Sequence, residues 1–334
     1  MNETRLVQKI ARVMRVPSVD GKEQSVSLGM GDDAALWKPR AGFETILTTD
    51  WFLEGTHFLR NLHPPDSVGW KCLARAVSDI AAMGGQPRCF LLSLALPESA
   101  TGKWLDECLE GLRRASRKLG CPLVGGDTTR RKEILINVTV IGEARKGLAA
   151  RRSGASDGDV IFVSGCLGEA ELGLQLLKRS KKHTDMRNPF LRKHLYPEPR
   201  LELGRWLAEK KIATAMMDLS DGLSSDLPRL CAASGVGALI GTDDLPSAKQ
   251  TSPGKPGQKL PSPAELALNG GDDYELLFTA KRGTISSIPS KFRGLPIRAI
   301  GHITSGPNIV LAEPDGPLLN RRILSPHGWD PFRK

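Results

Sequence analysis

Long hydrophobic runs are missing from this 334-residue sequence. No stretch of about 18 apolar residues occurs, so no membrane-spanning helix is expected. Paired cysteines are missing too. The six cysteines, at 72, 89, 108, 121, 166 and 231, show no CxxC spacing, which argues against a zinc site and a disulfide framework and points to a reducing cytoplasm. Aromatic residues are scarce at 5%, which bears on the net charge of +10. Nucleic-acid surfaces combine dense basic patches with stacking aromatics. The densest basic run here, KRSKKH at 178–183, contains no aromatic and reads as the solvated end of a helix or a linker. The charge therefore points to a small phosphorylated ligand rather than to nucleic acid. No signal peptide is evident in MNETRLVQKIARVMRV, where Leu6, Val7, Ile10, Val13 and Met14 recur with helical period. The common nucleotide fingerprints are absent as well: no GxxxxGK[ST], no GxGxxG after a strand, no protein-kinase HRD or DFG set.

What is present is a mixed α/β pattern in two units. ETILTTD (44–50) reads as a buried strand ending in an acid. DSVGWKCLARAVSDIAAMGG (66–85) reads as a helix with Asp66 as N-cap and Gly84-Gly85 as its stop. RCFLLSLALP (88–97) is a strand, TGKWLDECLEGLRRASRKLG (101–120) a helix, PLVGGDTTR (122–130) a strand running into a glycine turn, and EILINVTVIGEA (133–144) a β-branched strand. The loop RKGLAARRSGASDGD (145–159) marks a boundary between a domain over 1–150 and a second over 151–334. In the second, ATAMMDLSDGLSSDLPRLCAASG (213–235) reads as strand, acid-rich turn and helix, and LALNGGDDYELLFTA (266–280) as a turn leading into a strand. TSPGKPGQKLPSP (251–263) is too rich in proline, lysine and glycine for helix or strand and reads as a surface loop, a candidate lid.

The acids carry the chemistry. Asp32 and Asp33 stand together in GMGDDAALW, a stretch that alternates as a strand would, so the two should face opposite sides and one should need a partner inside. Asp50 ends a strand, Asp79 lies in AVSDIAAMGG, Asp127 follows LVGG, Asp218 and Asp221 lie in MMDLSDGL, and Asp272 and Asp273 follow LNGG. Each has a local structural use: Asp79 can pair with Arg75 one helical turn away, and the others can cap turns or helices. Six such motifs in a chain of net charge +10 exceed what capping requires. Converging carboxylates repel unless cations neutralise them, and all-oxygen ligation suits Mg²⁺. The hydroxyls of Thr48, Thr49 and Ser220 suit the same ion. Several Mg²⁺ ions on a basic protein imply a nucleoside triphosphate and phosphoryl transfer.

GDDAAL, TTDWFLEGTHF, AVSDIAAMGG, LVGGDTTR, RRSGASDGD, HLYPEPR, DLSDGLSSDL and GGDDYELLF appear in that order. Together they resemble the thiamine-monophosphate kinase family, which is similar to aminoimidazole ribonucleotide synthetases and selenophosphate synthetases. The resemblance runs from about residue 29 to 280, more weakly to the C-terminus. It implies an α/β (α+β) two-domain synthetase-like fold. The N-terminal mixed sheet would form a barrel across a homodimer and bind ATP and Mg²⁺. A C-terminal α/β sandwich would complete the active site. The implied reaction is direct in-line transfer from ATP to thiamine monophosphate through a Mg²⁺ cluster.

Position by position, the resemblance makes Asp33, Thr48, Thr49, Asp50, Asp79, Asp127, Asp218 and Asp221 metal-site residues. Gly126, Asp127, Arg152 and Ser220 fall around ATP. His57, Asp272 and Trp329 fall at the substrate, with Trp329 stacking on the thiamine. Where the family often has glutamate, this chain has the shorter Asp272. No protein nucleophile or general base is implied, because the acceptor phosphate is already anionic. A selenophosphate synthetase is disfavoured because its reactive cysteine lies in an N-terminal glycine-rich segment, whereas the first cysteine here is Cys72. A purine-pathway synthetase and a catalytically silent polyphosphate binder are the alternatives.

Overall fold

The computed structural model describes residues 2–15, 26–179, 185–248, 261–315 and 318–332. Residues 180–183 of the basic run and 251–260 of the candidate lid lie outside the described residues. The chain divides into two units, Met1–Ala81 with Gly85–Ala149, and Ala82–Gly84 with Ala150–Lys334. Among the described residues no helix is long and apolar enough to cross a membrane.

In unit 1, helix α1 (Glu3–Met14) is capped by Asn2, whose side chain accepts the Arg5 N–H, and it buries Leu6, Ile10 and Met14. Short strands β1 (Val26–Leu28) and β2 (Leu36–Trp37) pair with each other. The main elements are β3 (Phe43–Leu53), α2 (Pro65–Ala82), β4 (Gln86–Leu96), α3 (Lys103–Leu119), β5 (Leu123–Arg130) and β6 (Leu135–Arg145). The sheet order is β3-β6-β4-β5, with β4 and β5 parallel and the other pairs antiparallel.

Alternation along β3 separates two faces. Ile46 and Phe52 are buried, with Thr48 and Asp50 on their side, whereas Leu47 is 69% and Trp51 54% exposed. The register sets Leu47 beside Ile141, Thr49 beside Thr139 and Trp51 beside Asn137, so the row continues onto half-buried residues of β6.

Three local expectations change. Asp66 lies inside the first turn of α2, not at its cap, and pairs with Arg114 of α3. PLVGGDTTR does not turn at its glycines: β5 runs through them. Gly126 has φ +153°, and a Cβ there would sit 1.9 Å from the Leu92 carbonyl oxygen, so only glycine lets β5 lie this close to β4. Finally, Asp32 and Asp33 lie in the connection between β1 and β2 rather than in a strand, and both are exposed. The Asp33 N–H donates to Asp32 Oδ1 at 2.8 Å, a local turn contact, so strand alternation does not distribute the pair.

Unit 2 comprises β7 (Val160–Ser164), α4 (Glu169–Arg179), α5 (Pro189–Leu195), α6 (Leu201–Glu209), β8 (Ala213–Leu219), α7 (Leu223–Ser234), β9 (Gly237–Gly241), α8 (Pro263–Asn269), β10 (Glu275–Ala280), β11 (Lys291–Phe292), β12 (Leu295–Thr304), β13 (Ile309–Asp315) and β14 (Leu318–Ile323). Its sheet runs β14-β13-β9-β12-β7-β10-β8, with β11 on β12. Successive residues of β7, β10 and β8 enter different cores. Ile161, Val163, Met217 and Leu277 pack with Leu223, Leu227 and Leu230 of α7, while Phe162, Met216 and Phe278 pack with Leu203 and Leu207 of α6. A sheet buried on both faces explains why IFV, AMM and LLF are unbroken apolar runs. One expectation is corrected here. The 251–263 loop reading fails at its end, because Ser262 caps α8 in a capping box and Pro263 opens the helix, which runs on through Leu266–Asn269.

Candidate active site

In unit 1, two of the expected metal residues, Thr48 and Asp79, meet across β3 and α2, and a third, Asp50, is reached from the same helix. Thr48 Oγ1 donates to Asp79 Oδ2 at 2.5 Å. Arg75, one turn before Asp79 on α2, reaches Asp50, with Nη2 3.4 Å from Oδ1 and Nε 3.3 Å from Oδ2. Both contacts tie the helix to the strand. Thr49 points to the opposite face, where its hydroxyl meets Thr139 Oγ1 and Asn137 Oδ1, each at 3.0 Å. Asp127 is exposed on β5, its Oδ1 accepting the Thr128 N–H at 2.9 Å. Asp50 aligns through Val138 and Leu92 with Gly126. At about 4.8 Å per strand the backbones of Asp50 and Asp127 stand roughly 14 Å apart, on opposite edges of the sheet. Asp33 is exposed on its turn between β1 and β2. His57 is half-buried near Phe52. Its Nδ1 accepts the Leu53 N–H at 3.0 Å, which leaves Nε2 to carry the proton of the neutral ring.

In unit 2 the acids crowd at the end of β8. Asp218 is buried in the strand, and Ser220 and Asp221 follow at the turn into α7. The organiser is Asp226, which sequence reasoning passed over. It is fully buried, and its Oδ2 accepts the N–H groups of both Ser220 and Asp221 at 3.0 Å. Arg229 Nη1 bridges Asp221 Oδ2 at 2.5 Å and Asp226 Oδ1 at 2.6 Å. Burial, with the charge of Asp221, pushes the Asp226 carboxyl up to about 6 against the pull of those N–H groups and Arg229.

The C-terminal stretch docks on this turn. The Trp329 N–H donates to the Asp221 carbonyl at 2.8 Å, and the His327 N–H to Ser224 Oγ at 3.2 Å. A Cβ at Gly328 would lie 2.1 Å from the same Asp221 oxygen, so glycine permits the approach. Trp329 remains 47% exposed. Arg152 is exposed in a segment held along β8 by the Met216 N–H donating to the Arg151 carbonyl at 2.7 Å.

The third group follows α8. The Asp272 and Tyr274 N–H groups donate to the carbonyls of Ser220 and Leu219, each at 2.8 Å. Asp273 is buried and accepts N–H groups of Gly168 and Ala170 at the start of α4. Burial pushes its carboxyl up to about 7, ahead of the opposing pull of Lys193 and the two N–H groups. Glu275 is fully buried between Ser164, Lys193 and Arg200, with Arg200 Nε at 2.7 Å and Ser164 Oγ at 2.6 Å. Burial alone would raise Glu275, but the two cations outweigh it and hold the carboxyl down at about 2.

These acid turns punctuate both units in one chain order, and that order has a match. The family described as AIR synthase related protein matches by its N-terminal domain over residues 31–144 and by its C-terminal domain over 156–312. The thiamine-monophosphate kinase of Buchnera aphidicola subsp. Acyrthosiphon pisum is 39% identical over 281 residues, covering 83% of this chain and 84% of that protein. The chain belongs to the thiamine-monophosphate kinase family. A crystal structure of the thiamine-monophosphate kinase from Stenotrophomonas maltophilia K279a superposes with a TM-score of 0.79 at 33% identity, covering 93% of this chain and 96% of that one. Another solved relative, complexed with AMPPCP and TMP, gives 0.71 at 30% identity over 92% and 93% of the two chains.

The expected ligand set for a family metal is aspartate and threonine oxygen only, which suits a hard ion such as Mg²⁺. Among the described residues, no three His, Cys, Asp or Glu side chains form a ready-made metal centre. Arginines lie on the acids of each unit, Arg75 on Asp50 and Arg229 on Asp221. The sequence offered a signal for Asp226, the third acid of DLSDGLSSDL, and placed Arg75 one turn from Asp79, but it gave none for the pairing of Arg75 with Asp50 or of Arg229 with Asp221.

Proposed function

We propose that this chain transfers the γ-phosphoryl group of ATP directly to the phosphate of thiamine monophosphate, giving thiamine diphosphate and ADP. One observation carries the reading: relatives named thiamine-monophosphate kinase match over more than four-fifths of the chain at 34–39% identity. Asp33, Thr48, Thr49, Asp50, Asp79, Asp127, Asp218 and Asp221 are the residues to hold Mg²⁺. When bound, the metal would neutralise phosphate charge and so stabilise the transferring group. Gly126, Asp127, Arg152 and Ser220 serve ATP. The Arg152 guanidinium is a permanent cation with geometry suited to polyphosphate. His57, Asp272 and Trp329 serve the substrate, and the exposed Trp329 ring offers a face for a thiazolium cation. No side chain need act as nucleophile or base, because the acceptor phosphate oxygen is anionic at neutral pH.

The uncovered face of the unit 1 sheet, with Leu47 and Trp51 exposed, supports a homodimer through residues 1–150, the partner sheet completing a barrel. Residues 151–334 carry the second group of acids. The six cysteines are free thiols, in keeping with a cytoplasmic enzyme.

Incubation with ATP, Mg²⁺ and thiamine monophosphate, followed by chromatography, should yield thiamine diphosphate. No product across a range of salts rejects the reading in favour of the purine-pathway alternative. Sedimentation should give a dimer that Trp51→Glu dissociates.

A further inference from the structure

HLYPEPR is the one stretch among the eight family-like motifs to which no role has been given, and the structure joins it to another. Lys193, in α5, and Arg200, just before α6, both bind Glu275 at the head of β10. The neighbouring His194, itself 1% exposed, stands with Nδ1 3.9 Å from Asp272 Oδ2. From the other side Tyr274, 2% exposed, donates its hydroxyl to Asp272 Oδ1 at 2.7 Å. Asp272 is the partly exposed member of the three, its side chain 30% accessible.

The backbone is unusual at the same place. Asp272 has φ +64° and Tyr274 φ +51°, two left-handed non-glycine residues within three positions. Their N–H groups are fastened to the end of β8, so the turn is held in that conformation.

A solvent-touching carboxylate needs no buried partners for the sake of stability, because exposed ion pairs contribute little. Here a buried tyrosine hydroxyl donates to one oxygen of such a carboxylate, a buried imidazole stands 3.9 Å from the other, and a strained turn carries the residue between them. That arrangement fixes a carboxylate's direction. We infer that His194 and Tyr274 are positioning residues that aim Asp272 at the cationic or amino-bearing half of thiamine monophosphate. The inference rests on the proposal that Asp272 meets that substrate.

The test is a kinetic set at saturating ATP with thiamine monophosphate varied, accompanied by calorimetric binding of thiamine monophosphate to each protein. Asp272→Asn should raise KM for thiamine monophosphate at least about ten-fold. Tyr274→Phe and His194→Gln should each raise the same KM by about three- to ten-fold, with kcat within about two-fold and KM for ATP unchanged. The double variant Tyr274→Phe/Asp272→Asn should be no worse than Asp272→Asn alone, because Tyr274 acts through Asp272. Tyr274→Phe keeps the buried ring, so it carries the test if His194→Gln does not fold by circular dichroism. If Asp272→Asn weakens substrate use but Tyr274→Phe does not, the positioning role is wrong and the Asp272 assignment stands. Multiplicative effects in the double variant overturn it in the same way. If Asp272→Asn itself leaves KM and binding unchanged, Asp272 is not at the substrate and both claims fall.

Discussion

Two stretches of this chain look alike, GDDAALW at 31–37 and GDDYELLF at 271–278, and they come to opposite ends. In the first, both aspartates are exposed, one accepts its neighbour's N–H, and the chain then reaches only the two-residue strand β2. In the second, Asp273 is buried on the start of α4, Asp272 is held by Tyr274, and Glu275 opens β10, which is paired on both sides, by β7 and β8. The aspartates are the same; the residues after them differ. YELLF enters a strand covered on both faces, and that burial forces every polar group in the turn to find a partner. AALW enters no such strand, and its acids are left available to solvent or ligand.

The strongest way to break this contrast is Glu275→Gln. Lys193 and Arg200 would lose their shared anion in a buried setting, and thermal or denaturant unfolding should show a loss of about 3 kcal/mol. A loss below about 1 kcal/mol would mean that the second turn does not depend on its clamp.

Asp273→Asn should cost less, about 1–3 kcal/mol, because one acceptor is kept. It also carries a pH signature. The folded chain keeps a proton on Asp273 between its ordinary 3.8 and about 7 that the unfolded chain has released. Stability should therefore fall as pH rises through that window, and Asp273→Asn should remove that part of the fall. Glu275 works in the opposite sense: its contribution is present above its ordinary 4.5 and is lost as pH falls toward 2.

Asp33→Asn sharpens the contrast from the other side. Melting should stay within about 0.5 kcal/mol of the parent, while turnover drops at least about ten-fold if Asp33 holds metal. Asp32→Asn should be the mildest, moving neither melting beyond about 0.5 kcal/mol nor turnover beyond about two-fold. Equal losses of activity in the two variants would show that the pair is not divided between roles.

Much of the fold was legible in the sequence. The strand over 44–50, the helix after Asp66 and the strand, acid turn and helix over 213–235 all follow from apolar period and turn chemistry, and each is present with shifted ends. The misses share a cause. PLVGG reads as a turn because glycine usually ends a strand, yet a neighbouring backbone 1.9 Å from the missing Cβ makes glycine the residue that allows β5 to continue. Asp32 and Asp33 read as a strand pair because their surroundings alternate, yet among the described residues no neighbouring strand extends to pair with them. The acids at 50, 79, 218 and 221 were visible as candidates, but the reach of Arg75 to Asp50 and the roles of Arg229, Asp226 and His194 were not read, because each gains its meaning from a residue on another element or across a turn.

The sequence by itself determined which oxygen-bearing side chains are candidates, the two-unit order of acid motifs and the family, because these depend on residue type and spacing alone. Tertiary structure decided which acids meet. Strand register put Thr48 with Asp79 on one face of β3 and Thr49 on the other, and set Asp50 and Asp127 on opposite edges of one sheet. Neighbours decided the charges: burial raised the Asp273 carboxyl, and Lys193 and Arg200 lowered that of Glu275 against the effect of its burial. Register and burial are properties of neighbours distant in the chain, and no local pattern of residues encodes them.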